Sequence, residues 1–170
     1  HVLDTLRRVD VPFVVYNFEA PPNPSDYPNL QFKEPSLDGY LEDLATSRAV
    51  LCKAGFTLTS EALFLGKPLL VVPNRGIFEQ TINALFLQAE GLGAAVLDRP
   101  LAPQDVETFL KAQHAYEARL EVRRACGNEA ALACIERVLG QGAPRPFPRP
   151  TLHTNGRNGS PVTEPAAKLD

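Results

Sequence analysis

The sequence predicts an α/β domain built on a doubly wound parallel sheet, and three observations carry that expectation. Short runs of β-branched residues and leucine alternate with segments of helical periodicity from Val2 to Leu97, the pattern of strand–helix units on a parallel sheet. Leu69 to Val72, bounded by Pro68 and Pro73, is apolar throughout, as suits a strand buried on both faces. Polar clusters follow two consecutive strands, Lys53 to Glu61 after one and Glu79 with Gln80 after the next. Open α/β sheets hold their ligands at that carboxyl edge.

The elements follow in order. His1 to Val9 reads as a helix with Val2, Leu3, Leu6 and Val9 on one face. Pro12 to Tyr16 is β-branched and aromatic, hence a strand. Glu19 to Pro28 holds four prolines and reads as a surface loop. A short strand at Leu30 to Phe32 precedes Ser36, which can cap a helix through Leu44 with Leu37, Tyr40, Leu41 and Leu44 turned inward. Arg48 to Cys52 is the next strand. Gly55 then permits a tight turn and close approach by a ligand. Thr57, Thr59 and Ser60 are caps for the following helix, with Glu61 in its first turn or two. After Leu69 to Val72, a helix from Ile77 to Glu90 presents Ile82, Leu85, Phe86 and Ala89 as its apolar face and ends at Gly91. Ala94 to Leu97 is a strand, Pro103 opens a helix, and a long helix over Ala115 to Leu139 is broken near Gly127 and Asn128.

From Gln141 the chain changes character. Six prolines and three glycines fall in residues 141–170, with few large apolar groups, so this tail is expected to be disordered. The expected division is a folded domain over 1–140 and a proline-rich tail over 141–170. The chain opens on His1 and contains no Met. It reads as a fragment whose domain lacks its opening strand and glycine loop.

Composition narrows the function. A net charge of −3 gives no reason to expect nucleic acid or a broadly basic membrane face. No apolar run approaches the ~20 residues a spanning helix needs. Cys52, Cys126 and Cys134 are well separated without CxxC spacing, so they read as reduced core residues in a cytoplasmic protein, not a zinc site or a disulfide framework. His1, His114 and His153 are scattered, and no DxD-type metal motif is present.

Gly55 with Glu61 six residues later, Gly66-Lys67-Pro68, Pro73, and Glu79-Gln80 with Asn83-Ala84 together resemble the donor-binding, C-terminal half of a GT-B glycosyltransferase. The similarity is greatest to the clan of the peptidoglycan N-acetylglucosaminyltransferase and the bacterial proteins named simply as glycosyltransferase family members. The resemblance implies transfer of a hexosyl group from a nucleoside-diphosphate sugar, UDP-linked by expectation, to an acceptor hydroxyl. It implies that Glu61 holds the donor ribose, where the bland alternative is an acid offsetting the helix dipole. It implies diphosphate at Gly55, Thr57, Thr59 and Ser60, with Lys53 neutralising charge on the leaving group. Glu79 and Gln80 would meet the donor sugar, helix capping being the alternative. Asn83 orients the loop. Phe32 and Lys33 fall where the base is held, although Phe32 reads equally as core. No general base is identifiable. The family draws it from the other half, which also holds the acceptor and would carry any peripheral membrane contact. No metal and no cofactor are implied. Two alternatives remain open, a UDP-sugar 2-epimerase of the same fold and a non-catalytic nucleotide-sugar-binding module.

Overall fold

The structure, a computed structural model, describes residues 2–19, 21–123 and 127–140. The chain divides into two compact units, 1–126 and 127–170. In the first unit, α1 (Val2–Leu6) leads into β1 (Phe13–Val15), a 3-10 turn (Pro24–Asp26) and β2 (Leu30–Phe32). Then come α2 (Leu37–Thr46), β3 (Val50–Cys52), α3 (Phe56–Phe64), β4 (Leu69–Val71), α4 (Phe78–Ala89) and β5 (Gly93–Ala95). Two helices, α5 (Pro103–Lys111) and α6 (Gln113–Arg123), close the unit. The second unit contributes α7 (Gly127–Gly140), separate from α6. The expected tail over 141–170 falls on residues outside those described.

Every strand pairing is parallel. β1 pairs with β2, and β3, β4 and β5 pair in that order, with Val50 opposite Leu69 and Leu69 opposite Gly93. Helices cover both faces. Leu70 of β4 joins one core with Leu3, Leu6, Val15, Val96 and Phe109, under α1 and α5. Its neighbours Leu69 and Val71 join the other with Leu44, Ala62, Ala84, Leu87 and Leu120, under α2, α3, α4 and α6. Side chains alternate across a strand, so β4 feeds both layers and must be apolar at every position. All three of its residues are buried.

Local chemistry explains the boundaries. Ser36 Oγ accepts from Gly39 N–H and caps α2 as expected. Gly66 and Gly91, at φ +71 and +66, each close a helix in a left-handed conformation. Gly66 N–H bonds Leu63 O while Lys67 N–H bonds Ala62 O; Gly91 and Leu92 repeat this onto Gln88 and Leu87. Gly66 is thus the structural member of the Gly-Lys-Pro triplet.

Three expectations are corrected. The α4 face that packs inward is Ala84 and Leu87, while Ile82, Leu85 and Phe86 are exposed by 46%, 49% and 63%. Two small or medium residues bring α4 close to the sheet, and the larger apolar stripe points away. On α2, Leu44 is buried and Leu41 is 43% exposed; the side chain of Leu37 lies outside the described residues. Cys134 is exposed, not core, because α7 buries none of its residues. Cys126 lies outside the described residues.

Candidate functional site

In a parallel sheet all carboxyl ends share one edge, so the turns β3–α3 and β4–α4 stand side by side. Helix α3 begins at Phe56, earlier than expected, with Gly55 as its N-cap and no side-chain cap. Thr57, Thr59 and Ser60 therefore lie inside the helix, and none caps it. Thr57 and Ser60 are exposed. Thr59 is buried, with its hydroxyl turned toward the Cys52 thiol.

The strained residue of the turn is Ala54, not Gly55. Ala54 is completely buried at φ +61, a conformation that costs an L-residue about 1–2 kcal/mol. Its carbonyl accepts from Asn83 Nδ2 at 2.9 Å, so Asn83 fixes the loop, as expected. Gly55 has an ordinary φ of −65, and a Cβ there would meet nothing within 4 Å. The protein itself does not require glycine at this point. The space outside Gly55 is open to whatever approaches the backbone.

Glu79 reaches back across the turn. Its Oε1 accepts the Phe56 N–H at 3.1 Å and Asn83 Nδ2 at 3.2 Å. Phe56 N–H is the first of the orphan donors at the α3 N-terminus, where negative charge is favoured. Gln80 Oε1 accepts Asn74 N–H at 2.9 Å and holds the β4–α4 turn. Both residues assigned to the donor sugar are thus engaged with backbone at the sheet edge. Lys53 is exposed at the end of β3.

A second cluster joins β1 and β2 to α3. Lys33, just past β2, donates to both carboxylate oxygens of Asp43 on α2, at 2.9 and 2.8 Å. Tyr16, just past β1, donates its hydroxyl to Asp43 Oδ2 at 2.5 Å. The bond from Lys33, then that from Tyr16, holds the Asp43 carboxyl below its ordinary range. Donation to that carboxylate pushes the Tyr16 hydroxyl up to about 12. The Tyr16 ring meets Tyr40 edge-on, centroids 5.6 Å apart at 86°. Tyr40 OH lies 3.4 Å from Glu61 Oε2. Burial first, then the charge of Glu61, raises the Tyr40 pKa. Phe32 is half-buried against the core and edge-on to Tyr27 at 6.4 Å, so it is its backbone that reaches the strand end.

The sequence reading missed Tyr16, Asp43 and the hydroxyl of Tyr40. Tyr40 and Asp43 are three apart on one helix, a spacing that places both on one face, and that was the available signal. A shallow groove of about 160 Å³ runs between α3 and α4, lined by Phe56, Thr59, Leu63, Asn83 and Phe86 among others. A larger one, about 280 Å³, lies at Gly66 and Glu117, at the opposite end of α3 from these clusters. Among the described residues no group of three or more His, Cys, Asp or Glu could hold a metal, and no helix is long and apolar enough to cross a membrane.

Known proteins share this frame. The family model for glycosyl transferase family 1 matches residues 1–113. A UDP-N-acetylglucosamine–N-acetylmuramyl-(pentapeptide) pyrophosphoryl-undecaprenol N-acetylglucosamine transferase from Clostridioides difficile (strain 630) is 35% identical over 75 residues, 41% of this chain and 18% of that protein. The fold is similar to that of the spinosyn forosaminyltransferase SpnP, with a TM-score of 0.63 and 17% identity over 81% of this chain and 38% of that one. It is similar also to the glycotransferase of kitacinnamycin, with a TM-score of 0.62 and 18% identity over 80% of this chain and 37% of that one. The chain therefore spans 18% of the curated relative and under two fifths of these solved ones. The resemblance carried by Gly55, Glu61, Glu79, Gln80 and their neighbours is borne out, and the chain belongs to glycosyl transferase family 1.

Proposed function

We propose that this domain is the donor-binding half of a glycosyltransferase that moves a hexosyl group from a UDP-linked sugar to an acceptor hydroxyl. The observation that carries the reading is the meeting of Gly55, the α3 N-terminus and Glu79 at the carboxyl edge of β3 and β4, with Glu61 one to two turns along the same helix. In this reading the diphosphate sits against Gly55 and the first N–H groups of α3, with the exposed Thr57, Ser60 and Lys53 at hand. Thr59, buried as it is, contributes shape and not a hydroxyl. Glu61 accepts from the ribose hydroxyls, and the backbone past Phe32 and Lys33 borders the base. The general base and the acceptor belong to the part of the protein beyond this chain, as the share of the solved relatives that it spans suggests.

Glu79 has a defined part in the reaction. Its carboxylate occupies the Phe56 N–H that a diphosphate would use. On donor binding it exchanges that N–H for a sugar hydroxyl, which places the sugar beside the turn. Glu79→Gln removes a charge that repels diphosphate and weakens the acceptor for the hydroxyl. The variant is expected to bind UDP as tightly as the parent or a few-fold tighter, while the gain in affinity from UDP to UDP-hexose shrinks about threefold or more. A loss of UDP affinity with the sugar gain intact would remove Glu79 from the sugar side of the site.

Calorimetric titration of this protein with UDP, ADP and GDP tests the reading as a whole. UDP is expected to bind without added metal and more tightly than the purine diphosphates. Failure of every nucleoside diphosphate to bind would overturn the proposal.

A further inference from the structure

We propose that Tyr40 is a positioning residue for Glu61, held in place by the Lys33–Asp43–Tyr16 cluster, so that α2 sets ribose recognition together with α3. The inference rests on the reading of Glu61 as the ribose acceptor and adds to it a residue that touches no ligand.

Glu61 is half-buried in the second turn of α3, and a glutamate side chain free to change rotamer there would present its oxygens in many directions. Tyr40 OH, at 3.4 Å from Oε2, biases that choice. Each carboxylate oxygen has two acceptor sites, so a bond from Tyr40 to Oε2 leaves Oε1 and one side of Oε2 for a ligand. The Tyr40 hydroxyl stays protonated well past neutrality, because burial and the neighbouring carboxylate both disfavour the phenolate. It is a constant donor to Glu61.

The ring of Tyr40 is itself constrained. Tyr16 lies edge-on against it, and the Tyr16 hydroxyl is tied to Asp43, one turn along α2 from Tyr40. Asp43 takes two further bonds from Lys33. An isolated exposed ion pair holds little, but this carboxylate accepts three hydrogen bonds from two donors, one at each of two strand ends. The result is a continuous series of contacts from the ends of β1 and β2, across α2, to the carboxylate on α3.

The test compares UDP with 2′-deoxy-UDP by calorimetry on the protein and its Tyr40→Phe, Asp43→Asn and Glu61→Gln variants, with melting temperatures alongside. Tyr40→Phe removes one oxygen and keeps the ring. It is expected to weaken UDP about three- to tenfold and 2′-deoxy-UDP less than about twofold. Combined with Glu61→Gln it should add nothing further, because it acts through that residue. Asp43→Asn leaves Tyr40 intact and is expected to lower the same ratio of affinities by a smaller factor. If Glu61→Gln lowers the ratio while Tyr40→Phe and Asp43→Asn leave it unchanged, the positioning role is overturned and the ribose reading stands. If Glu61→Gln also leaves it unchanged, the ribose reading fails and this inference with it. A drop in affinity for both ligands alike, with a lowered melting temperature, would make Tyr40 structural only and overturn the proposal.

Discussion

Replacing Gly93 with alanine is expected to destabilise the first unit by about 3 kcal/mol or more, beyond the usual 1–3 kcal/mol of overpacking. Gly93 opens β5 opposite Leu69 of β4. A Cβ on Gly93 would lie 2.0 Å from the Leu69 carbonyl oxygen, 3.0 Å from its carbonyl carbon and 3.0 Å from Leu87 Cδ2. None of these atoms can move aside cheaply. Leu69 is completely buried and also faces Val50 of β3, and Leu87 is the residue by which α4 packs on the sheet. Relief would need β5 or α4 to shift away from β4, opening a gap in a core that tolerates few voids. Thermal unfolding followed by circular dichroism should show a midpoint lower by about 6 °C or more, taking roughly 2–4 °C per kcal/mol for a chain of this size. A midpoint like that of the parent would mean that β4, β5 and α4 are spaced more widely than in this structure. Gly55→Ala is the control, since nothing lies within 4 Å of its Cβ and its φ suits alanine.

The strands and caps were legible because each rests on a local rule. A run bounded by prolines, a serine before a helical stretch and a glycine after one name β4, the start of α2 and the end of α4. Capping by Thr57, Thr59 and Ser60 was misread because any of several hydroxyls can cap, and the backbone chose Gly55 by starting α3 earlier. The face of α4 was misread because a helix is assumed to bury its largest apolar stripe. Here the closest approach to β5 uses Ala84 and Leu87, and the stripe of Phe78, Ile82, Leu85 and Phe86 is left outside. In the site, the order and spacing from Gly55 to Asn83 placed the two turns together, because consecutive parallel strands bring successive turns to one edge. The contacts of Lys33 with Asp43, Tyr16 with Asp43 and Tyr40 with Glu61 span 10, 27 and 21 residues. They have no periodicity to betray them and become visible only when α2 is laid against the ends of β1, β2 and β3.

Glu61→Gln is expected to lower affinity for UDP about ten- to a hundredfold, corresponding to roughly 1.5–3 kcal/mol of charge-assisted hydrogen bonding. The substitution keeps the shape of the side chain and one carbonyl-type acceptor, so Tyr40 OH can still donate to it and the helix keeps its length. What is lost is charge and the second acceptor, the two properties a carboxylate needs in order to take both hydroxyls of a ribose. The loss should shrink sharply with 2′-deoxy-UDP, where one hydroxyl is already missing and one acceptor already idle. Stability should change little. Glu61 lies past the first turn of α3, where its influence on the helix dipole has fallen away, and its neutral replacement remains half-buried beside a neutral phenol. A residue whose work is only to support the helix would behave in the opposite way, with a lowered melting temperature and unchanged affinity. Calorimetric titration and thermal unfolding on the same preparations separate the two. The second outcome would take Glu61 out of the site and leave the turn at Gly55, with Glu79 above it, as a feature of the fold without a nucleotide to hold.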